Sequence, residues 1–545
     1  MKEFHTDGSF TLFFCLESSV SKPVRHRFHP SSKPLPQHHP ANAGFFFSSP
    51  TPKIMASLKS LAKDTAIYGL SSIVGRFLNY LLVPLYTAKI SAASGGYGVV
   101  TEIYSYTAFF FVILTFGMET TLFRFINRKD EPAPTRVYTT ALAAVLAVGV
   151  CFVAAIALAL PSVSSALGYA AHPEYVMMMA IVIALDAFQA IPFCYLRYQK
   201  RPIKFAALKL GFIFLNIGLN LLFFLVLPKY VAGWQIEVGH VFAINLFCTA
   251  FITLFFWREL LGVRWRVDFR LLRRMLGYAW PILILGIAGI LNQTADKMIF
   301  KHVMPGTQGE VELGIYGAGV KIAMIMAMIT QAFRYAYEPF VFASCHDGEE
   351  TDNRQTYALA MKFFLIFTFL AFLCVVGYMD IIKHLIGSDY WASLRVVPIV
   401  MVAEILMGVY FNLSFWYKVT DRTIWGAWFS GIGCLVLIAI NVIFIPSYSY
   451  TACAWAGVAG YGTAALLSYV VGQHYYPIRY PLRRIGLYVF VTAVLYAAMR
   501  LNEVAITSVP LRLLLNTGLI GLFAALIVRL DFPLGKLLKR LRRRG

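Results

Sequence analysis

From residue 66 onward the chain alternates long apolar runs with short polar ones. A run of about 20 mostly apolar residues is long enough to cross a bilayer as a helix. Such runs fall at 66–90, 100–123, 138–160, 175–196, 205–227, 239–257, 276–300, 314–333, 358–379, 396–417, 424–445, 451–472, 485–499 and 513–528. The pattern predicts an all-α polytopic membrane protein of about 14 transmembrane helices. The run at 485–499 is short, and without the shortest runs the count falls to about twelve. No long polar loop separates the runs, so no sizeable domain outside the membrane is expected.

Composition agrees: 59% of the 545 residues are apolar and 14% charged, with a mean hydropathy of +0.66. Soluble globular chains hold about 45–50% apolar and about 25% charged residues. The net charge of +21 first suggests nucleic acid, but its placement changes that reading. On the side holding Met55 the loops carry Arg124, Arg128, Lys129 and Arg136, then Arg197, Lys200, Arg201, Lys204 and Lys209. Later loops there add Arg258 to Arg274 and Arg479 to Arg484, and the tail ends in Lys536 to Arg544. The opposite loops hold far fewer bases, and the stretch from Pro161 to Tyr175 holds none. This is the positive-inside pattern. It predicts an even number of spans with both termini cytoplasmic. The basic balance then reflects orientation and contact with the anionic inner leaflet, not nucleic acid. Leu534 to Arg544 reads as a short basic amphipathic helix on the inner surface.

Residues 1–54, rich in Pro, Ser and His, read as a disordered extension, and Met55 as the membrane protein's first residue. The eight cysteines are scattered and form no CxxC or Cys/His spacing, so neither disulfide nor metal is expected. The acceptor patterns at Asn292 and Asn412 fall in or beside apolar runs and are poor glycosylation sites. Trp234, Tyr390, Trp391 and Tyr448 lie at span ends, as in interfacial aromatic belts. No P-loop is present, so no nucleotide or other cofactor is expected.

A shift of about 220 positions superposes features of the two halves. Tyr97-Gly98 meets Tyr316-Gly317, and Arg76 meets Lys297. Arg201 meets Arg422, Asn220 meets Asn441 and Gly239 meets Gly460 at one shift of 221. Two pseudo-symmetric six-helix lobes follow, at 55–262 and 263–478, with a C-terminal helix pair and basic tail at 479–545. Six spans return the chain to its starting side, so the lobes share one orientation, and transporters built this way bind substrate between them.

Ile67-Tyr68-Gly69-Leu70, Gly75-Arg76-Phe77-Leu78, Asp296-Lys297 and Gly314-Ile315-Tyr316-Gly317-Ala318 resemble stretches of the oligosaccharide flippases in the multidrug/oligosaccharidyl-lipid/polysaccharide exporter superfamily. Bacterial O-antigen and capsule repeat-unit flippases are the members that the chain looks most like. The resemblance implies movement of a polyprenyl-pyrophosphate-linked oligosaccharide from the inner to the outer leaflet of the cytoplasmic membrane, by alternating access. It implies lipid-linked oligosaccharide, membrane lipids and polysaccharide assembly proteins as partners. Lipid II flippases and multidrug or metabolite antiporters of the same superfamily are the alternatives. An enzyme, such as a polysaccharide polymerase, would need a large outer loop that the chain lacks.

Ionisable side chains inside spans mark function by default, because each costs about 2.5–3.5 kcal/mol on insertion scales. Arg76 stands near the middle of the first span, where a guanidinium can bind a pyrophosphate bidentately. Lys321, Lys297, Asp296, Asn292 and Gln293 are the further substrate-binding candidates. Because neighbours on a helix point about 100° apart, only one of Asp296 and Lys297 is expected to face a cavity squarely. Glu119, Asp186 and Glu404 are ion-coupling candidates, with an Arg76–Glu119 salt bridge as the structural alternative. Asn216 and Asn220, four apart, are expected to join helices.

Overall fold

The computed structural model describes Leu78 and residues 80–128, 133–262, 264–347, 350–420 and 422–531, with the backbone alone between 335 and 353. Arg76, the extension 1–54, Met55 and the tail Leu534–Arg544 lie outside the described residues. The described chain is helical, without strands. Twelve of its helices are long and apolar enough to cross a membrane, which makes the protein multi-pass. The sixth expected span is the 16-residue apolar helix Gly239–Leu254, and of the first only Leu82–Lys89 is described.

In chain order the principal helices are α1 (Leu82–Lys89), α2 (Gly96–Thr115), α3 (Met118–Ile126), α4 (Pro134–Leu158), α5 (Pro173–Tyr198), α6 (Pro202–Leu221) and α7 (Gly239–Leu254). The second half continues with α8 (Phe269–Val303), α9 (Thr307–Asp347), α10 (Glu350–Gly377), α11 (Val397–Leu413), α12 (Ile424–Tyr448), α13 (Tyr450–Tyr475), α14 (Leu482–Ala505) and α15 (Val509–Asp531). The expected second span is broken where Phe116 and Gly117 both take positive φ, so α2 and α3 meet at an angle set by left-handed backbone. Small residues let helices approach closely. The Gly433 and Gly460 backbones of α12 and α13 touch, since a Cβ on Gly433 would lie 2.7 Å from the Gly460 carbonyl oxygen. Asn220 accepts a hydrogen bond from the Tyr86 hydroxyl at 2.7 Å, tying α6 to α1 as expected. Its repeat partner Asn441 is fully buried and makes no side-chain hydrogen bond among the described residues.

The long helix α8 is shared between neighbours. Its first turns pack on the first half: Leu271 and Met275 join the core of α3, α4 and α5, and Ile282 fills the space beside Gly117. Pro281 lies inside it. Along its length α8 packs chiefly on α12 and α2. Asp268 caps its start, accepting from the Arg270 and Leu271 amides at 3.0 Å and pairing with Arg136 at 3.5 Å. The Leu271 amide and the Arg136 guanidinium hold this carboxyl below the usual aspartate range. The folded-state depression means that the cap stabilises above the unfolded pKa of about 3.9 and is lost as pH falls below it. Asp268→Ala is expected to lower the thermal midpoint of purified protein at pH 7. Asp268→Asn, which keeps a cap acceptor, is expected to lower it less and to flatten its fall below pH 4. A midpoint equal to wild type in both variants would refute the cap.

On the side opposite the basic loops, the two halves are in direct contact. The Gly387 amide donates to Thr87 Oγ1 at 3.0 Å, and the Tyr390 hydroxyl donates to the Ile90 carbonyl at 2.9 Å. Tyr390 is therefore fully buried against Tyr97, ring centroids 5.7 Å apart, and does not sit in an interfacial belt. Its position beside a span end suggested the belt; its hydroxyl finds a backbone partner on the other half instead. Next to it α2 and α9 run parallel and almost touch. A Cβ on Gly98 would lie 1.9 Å from the Glu310 carbonyl oxygen, and one on Gly314 would lie 2.9 Å from the Gly98 nitrogen. The helices that carry the repeated Tyr-Gly pairs thus pack against one another, with the pairs themselves out of register.

The last two helices clasp α10 at both ends. Lys362 pairs with Asp531 at 2.7 Å, and Tyr488 also donates to Asp531. Toward the far side Arg512 pairs with Asp380 at 2.5 Å, and Asn516 donates to the Gly377 carbonyl at 3.0 Å.

Candidate functional site

The polar face of α8 opens into a cavity of about 140 Å³. At about 30 Å³ per water, it holds a handful of waters. It is lined by α8, α9, α11, α12 and α13, all from the second half. This differs from the expected place between the halves. Asn292, Gln293, Asp296 and Lys297 all line it, as read from sequence, and so does Glu404 of α11.

Lys297 donates to both Asp296 oxygens, at 2.9 and 3.0 Å, and to the Gln293 carbonyl at 2.9 Å. Tyr316 of α9 donates to Asp296 Oδ2 at 2.7 Å. The expectation that only one of these neighbours faces the cavity fails for a simple reason. The flexible lysine stem curls back along the helix until its ammonium meets the preceding carboxylate. Both groups are then buried, at 6% and 9% exposure. A pair in low dielectric needs such complete hydrogen bonding to offset desolvation. Glu404 feels the charges of both, and its Oε2 is buried without a hydrogen-bond partner among the described residues.

Asn292 does not project freely. Its amide donates to the Ser430 carbonyl at 2.9 Å and to the Ser430 hydroxyl at 3.1 Å, joining α8 to α12. Arg334 of α9, missed in the sequence because it lies past the expected end of its span, lines the cavity with its guanidinium 4.2 Å from the Phe411 ring centroid. A second cavity of about 80 Å³ continues from the same residues towards the basic side. It is lined by Tyr410, Phe411, Tyr417 and Lys418, among others.

The remaining candidates sit elsewhere. Lys321 is half-buried on α9 and does not line the cavity. Glu119 lies 3.8 Å from Arg197 of α5 and accepts from the Cys194 thiol. Asp186 is buried in α5, on the first half. Arg76, with the salt bridge suggested for it, falls outside the described residues.

The second-half site therefore gathers two carboxylates, two bases, several amides and tyrosines in an apolar bundle. Such an arrangement can hold a charged or hydroxyl-rich polar group away from lipid, and Glu404 offers an acceptor with no other occupation.

Residues 94–395 match the family described as polysaccharide biosynthesis protein. A protein of the Lsg locus of Haemophilus influenzae is 19% identical over 343 residues, 60% of this chain and 77% of its own. Among solved structures, the lipid II flippase MurJ in its inward closed conformation aligns with a TM-score of 0.68 at 11% identity, covering 85% of this chain and 98% of its own. An inward-facing multidrug resistance transporter of the MATE family aligns at 0.55 and 15% identity, covering 78% and 95%. These likenesses give a polytopic transporter fold.

Proposed function

Because the chain belongs to the polysaccharide biosynthesis protein family, as its match over residues 94–395 shows, we propose that this membrane transporter moves a polyprenyl-pyrophosphate-linked oligosaccharide from the inner to the outer leaflet of a bacterial cytoplasmic membrane. The protein's two halves act as lobes, 55–262 and 263–478, with 479–545 as an added helix pair and tail. The observation that carries the reading is the buried charged cavity of Asp296, Lys297, Arg334 and Glu404 within apolar helices. Groups this costly in hydrocarbon are kept where they face cargo or coupling ions.

In this reading Lys297 and Arg334 supply positive charge to the pyrophosphate from the cavity, and Arg76 and Lys321, candidates from the sequence alone, are further bases for it. Asn292 and Gln293 supply hydrogen bonds. Glu404 takes up the coupling ion, and Glu119 and Asp186 do so less directly because they lie away from the cavity. The cavity is far smaller than an oligosaccharide, so loading requires the lobes to part on the basic side, and release requires them to part on the other. The two-lobe fold shared with a lipid II flippase supports lipid II as the alternative cargo, since the pyrophosphate chemistry is the same.

Depletion of the protein is expected to accumulate a finished lipid-linked oligosaccharide in the inner leaflet and to remove the surface polysaccharide. Arg76→Ala and Lys297→Ala are each expected to reproduce that pool while the protein still inserts. Accumulated lipid II would move the assignment to the alternative cargo. Normal surface polysaccharide in both variants would overturn the role of these bases.

A further inference from the structure

A second group of buried charges lies outside the cavity, where the two halves meet on the far side. Glu102 of α2 is wholly buried. It accepts a hydrogen bond from the Tyr169 hydroxyl, in the turn before α5. Lys301, four residues beyond Lys297 on α8, lies 3.7 Å from Glu102 and 2.7 Å from Glu310 at the start of α9. Its ammonium also sits 3.7 Å from the Tyr169 ring centroid. Gly168, at positive φ, lets this turn approach: a Cβ there would lie 3.2 Å from Lys301 Nζ. The Tyr106 hydroxyl one turn along α2 donates to the Met298 carbonyl of α8. The charged and titratable groups facing Glu102 are thus Lys301, Glu310, Tyr169 and Tyr106.

The partition of this cluster is uneven. Lys301 and Glu310 both belong to the second half, and Glu102 and Tyr169 both belong to the first. The Glu102–Lys301 ion pair, the Lys301–Tyr169 ring contact and the Tyr106–Met298 hydrogen bond are what cross between them. If the halves part, Lys301 keeps Glu310. Glu102 keeps only a phenol, and its Oε1 already has no hydrogen-bond partner among the described residues. A carboxylate stripped of its cation in a low-dielectric site is too costly to stay ionised and takes up a proton.

We propose that Glu102 and Lys301 form a latch that holds the far side shut, and that protonation of Glu102 releases it. The latch rests on the reading above that the halves move apart, and it adds a residue-level control on one of the two openings. The closed state is favoured while Glu102 is ionised, and acidification on the far side shifts the balance towards opening.

The test uses the full chain with its native cysteines replaced, in liposomes, and pulsed electron resonance between spin labels. One pair, at Ala171 and Gln308, reports the far side, and another, at Asn127 and Ile424, reports the basic side. Lowering the pH from 7.5 to 5.5 is expected to raise the long-distance far-side population several-fold. Glu102→Gln is expected to show that population at both pH values, and Lys301→Arg to behave as wild type. If the distances change with conditions but Glu102→Gln still follows the native pH response, the latch is wrong and the moving halves stand. If neither pair changes in any protein while export proceeds, the rocking of the halves is wrong, and the latch with it. Should Glu102→Gln fail to insert, a pH-invariant distance in the unmutated chain alone overturns the proposal.

Discussion

Gly98→Val is expected to abolish export while leaving the protein in the membrane. Any side chain at this position would put its Cβ 1.9 Å from the Glu310 carbonyl oxygen and 2.8 Å from that carbonyl carbon. The obstacle is backbone, so no side-chain rotation relieves it. Only α2 and α9 moving apart can. Overpacking a tight contact costs about 1–3 kcal/mol, which shifts a two-state balance by about 5–140-fold. The cost falls on the conformation with the far side closed, because the helices meet there in that state. The variant should therefore lose the state able to load from the basic side. The spin-label pair at Ala171 and Gln308, which reports the far side, measures closure directly. The ratio of closed to open far-side distances should drop at least about fivefold in Gly98→Val by the same arithmetic. An unchanged far-side distance distribution with unchanged surface polysaccharide would mean that this crossing does not govern transport.

Asp296→Ala is the second large effect, and it falls on stability as well as transport. The substitution removes both carboxylate acceptors of Lys297 and the partner of Tyr316 in one step. What remains for the buried ammonium is the Gln293 carbonyl at 2.9 Å, the Tyr316 ring with its centroid 5.6 Å away and the nearby carboxyl of Glu404. Removing one member of a buried ion pair costs about 3–5 kcal/mol, because the other is left buried and uncompensated. Replacing both with apolar residues of similar volume is often neutral. Asp296→Ala should therefore melt well below the wild-type protein in detergent, and Asp296→Leu with Lys297→Met should recover most of that loss. Neither should export. A double variant as unstable as the single one would show that the pair is not the source of the loss. Restored export in the double variant would remove both residues from the cargo site.

The span pattern was legible because each helix announces itself by a local run of apolar residues. The polar face of α8 was legible for the same reason: Asn292, Gln293, Asp296 and Lys297 are close in sequence, and the cavity brings them together. What the sequence hid depends on contacts between distant helices. Tyr316 and Glu404 reach Asp296 from 20 residues away and over 100 residues away, and nothing local marks them as its neighbours. Arg334 was hidden by length, since α9 runs to Asp347 and keeps it within the helix. Tyr390 looked like a belt residue until its hydroxyl was found on the Ile90 carbonyl. For Glu102 and Lys301 a signal was present: an acid two residues into the expected span at 100–123, and a lysine one turn beyond Lys297 on the same face. Only the fold shows that they belong to one cluster.

The parallel meeting of α2 with α9 carries a further consequence. Gly95 and Gly98 are repeat counterparts of Gly314 and Gly317 at a shift of 219, and contacts such as Gly98 with Gly314 and Thr101 with Gly317 lie at a shift of 216. The helix thus faces its own counterpart, slipped by about one turn. A surface that packs on a second copy of itself with every contact reciprocated is the mark of an isologous dimer; here the seam is one-sided, Gly98 meeting Gly314 while Gly95 meets Glu310. Taken as fused repeats, the two lobes carry inside one chain the interface of a homodimer. The slip and the unequal charges, glutamate at 102 against lysine at 321, are then what fusion permits: once both copies are on one polypeptide, each side of a formerly symmetric seam can specialise.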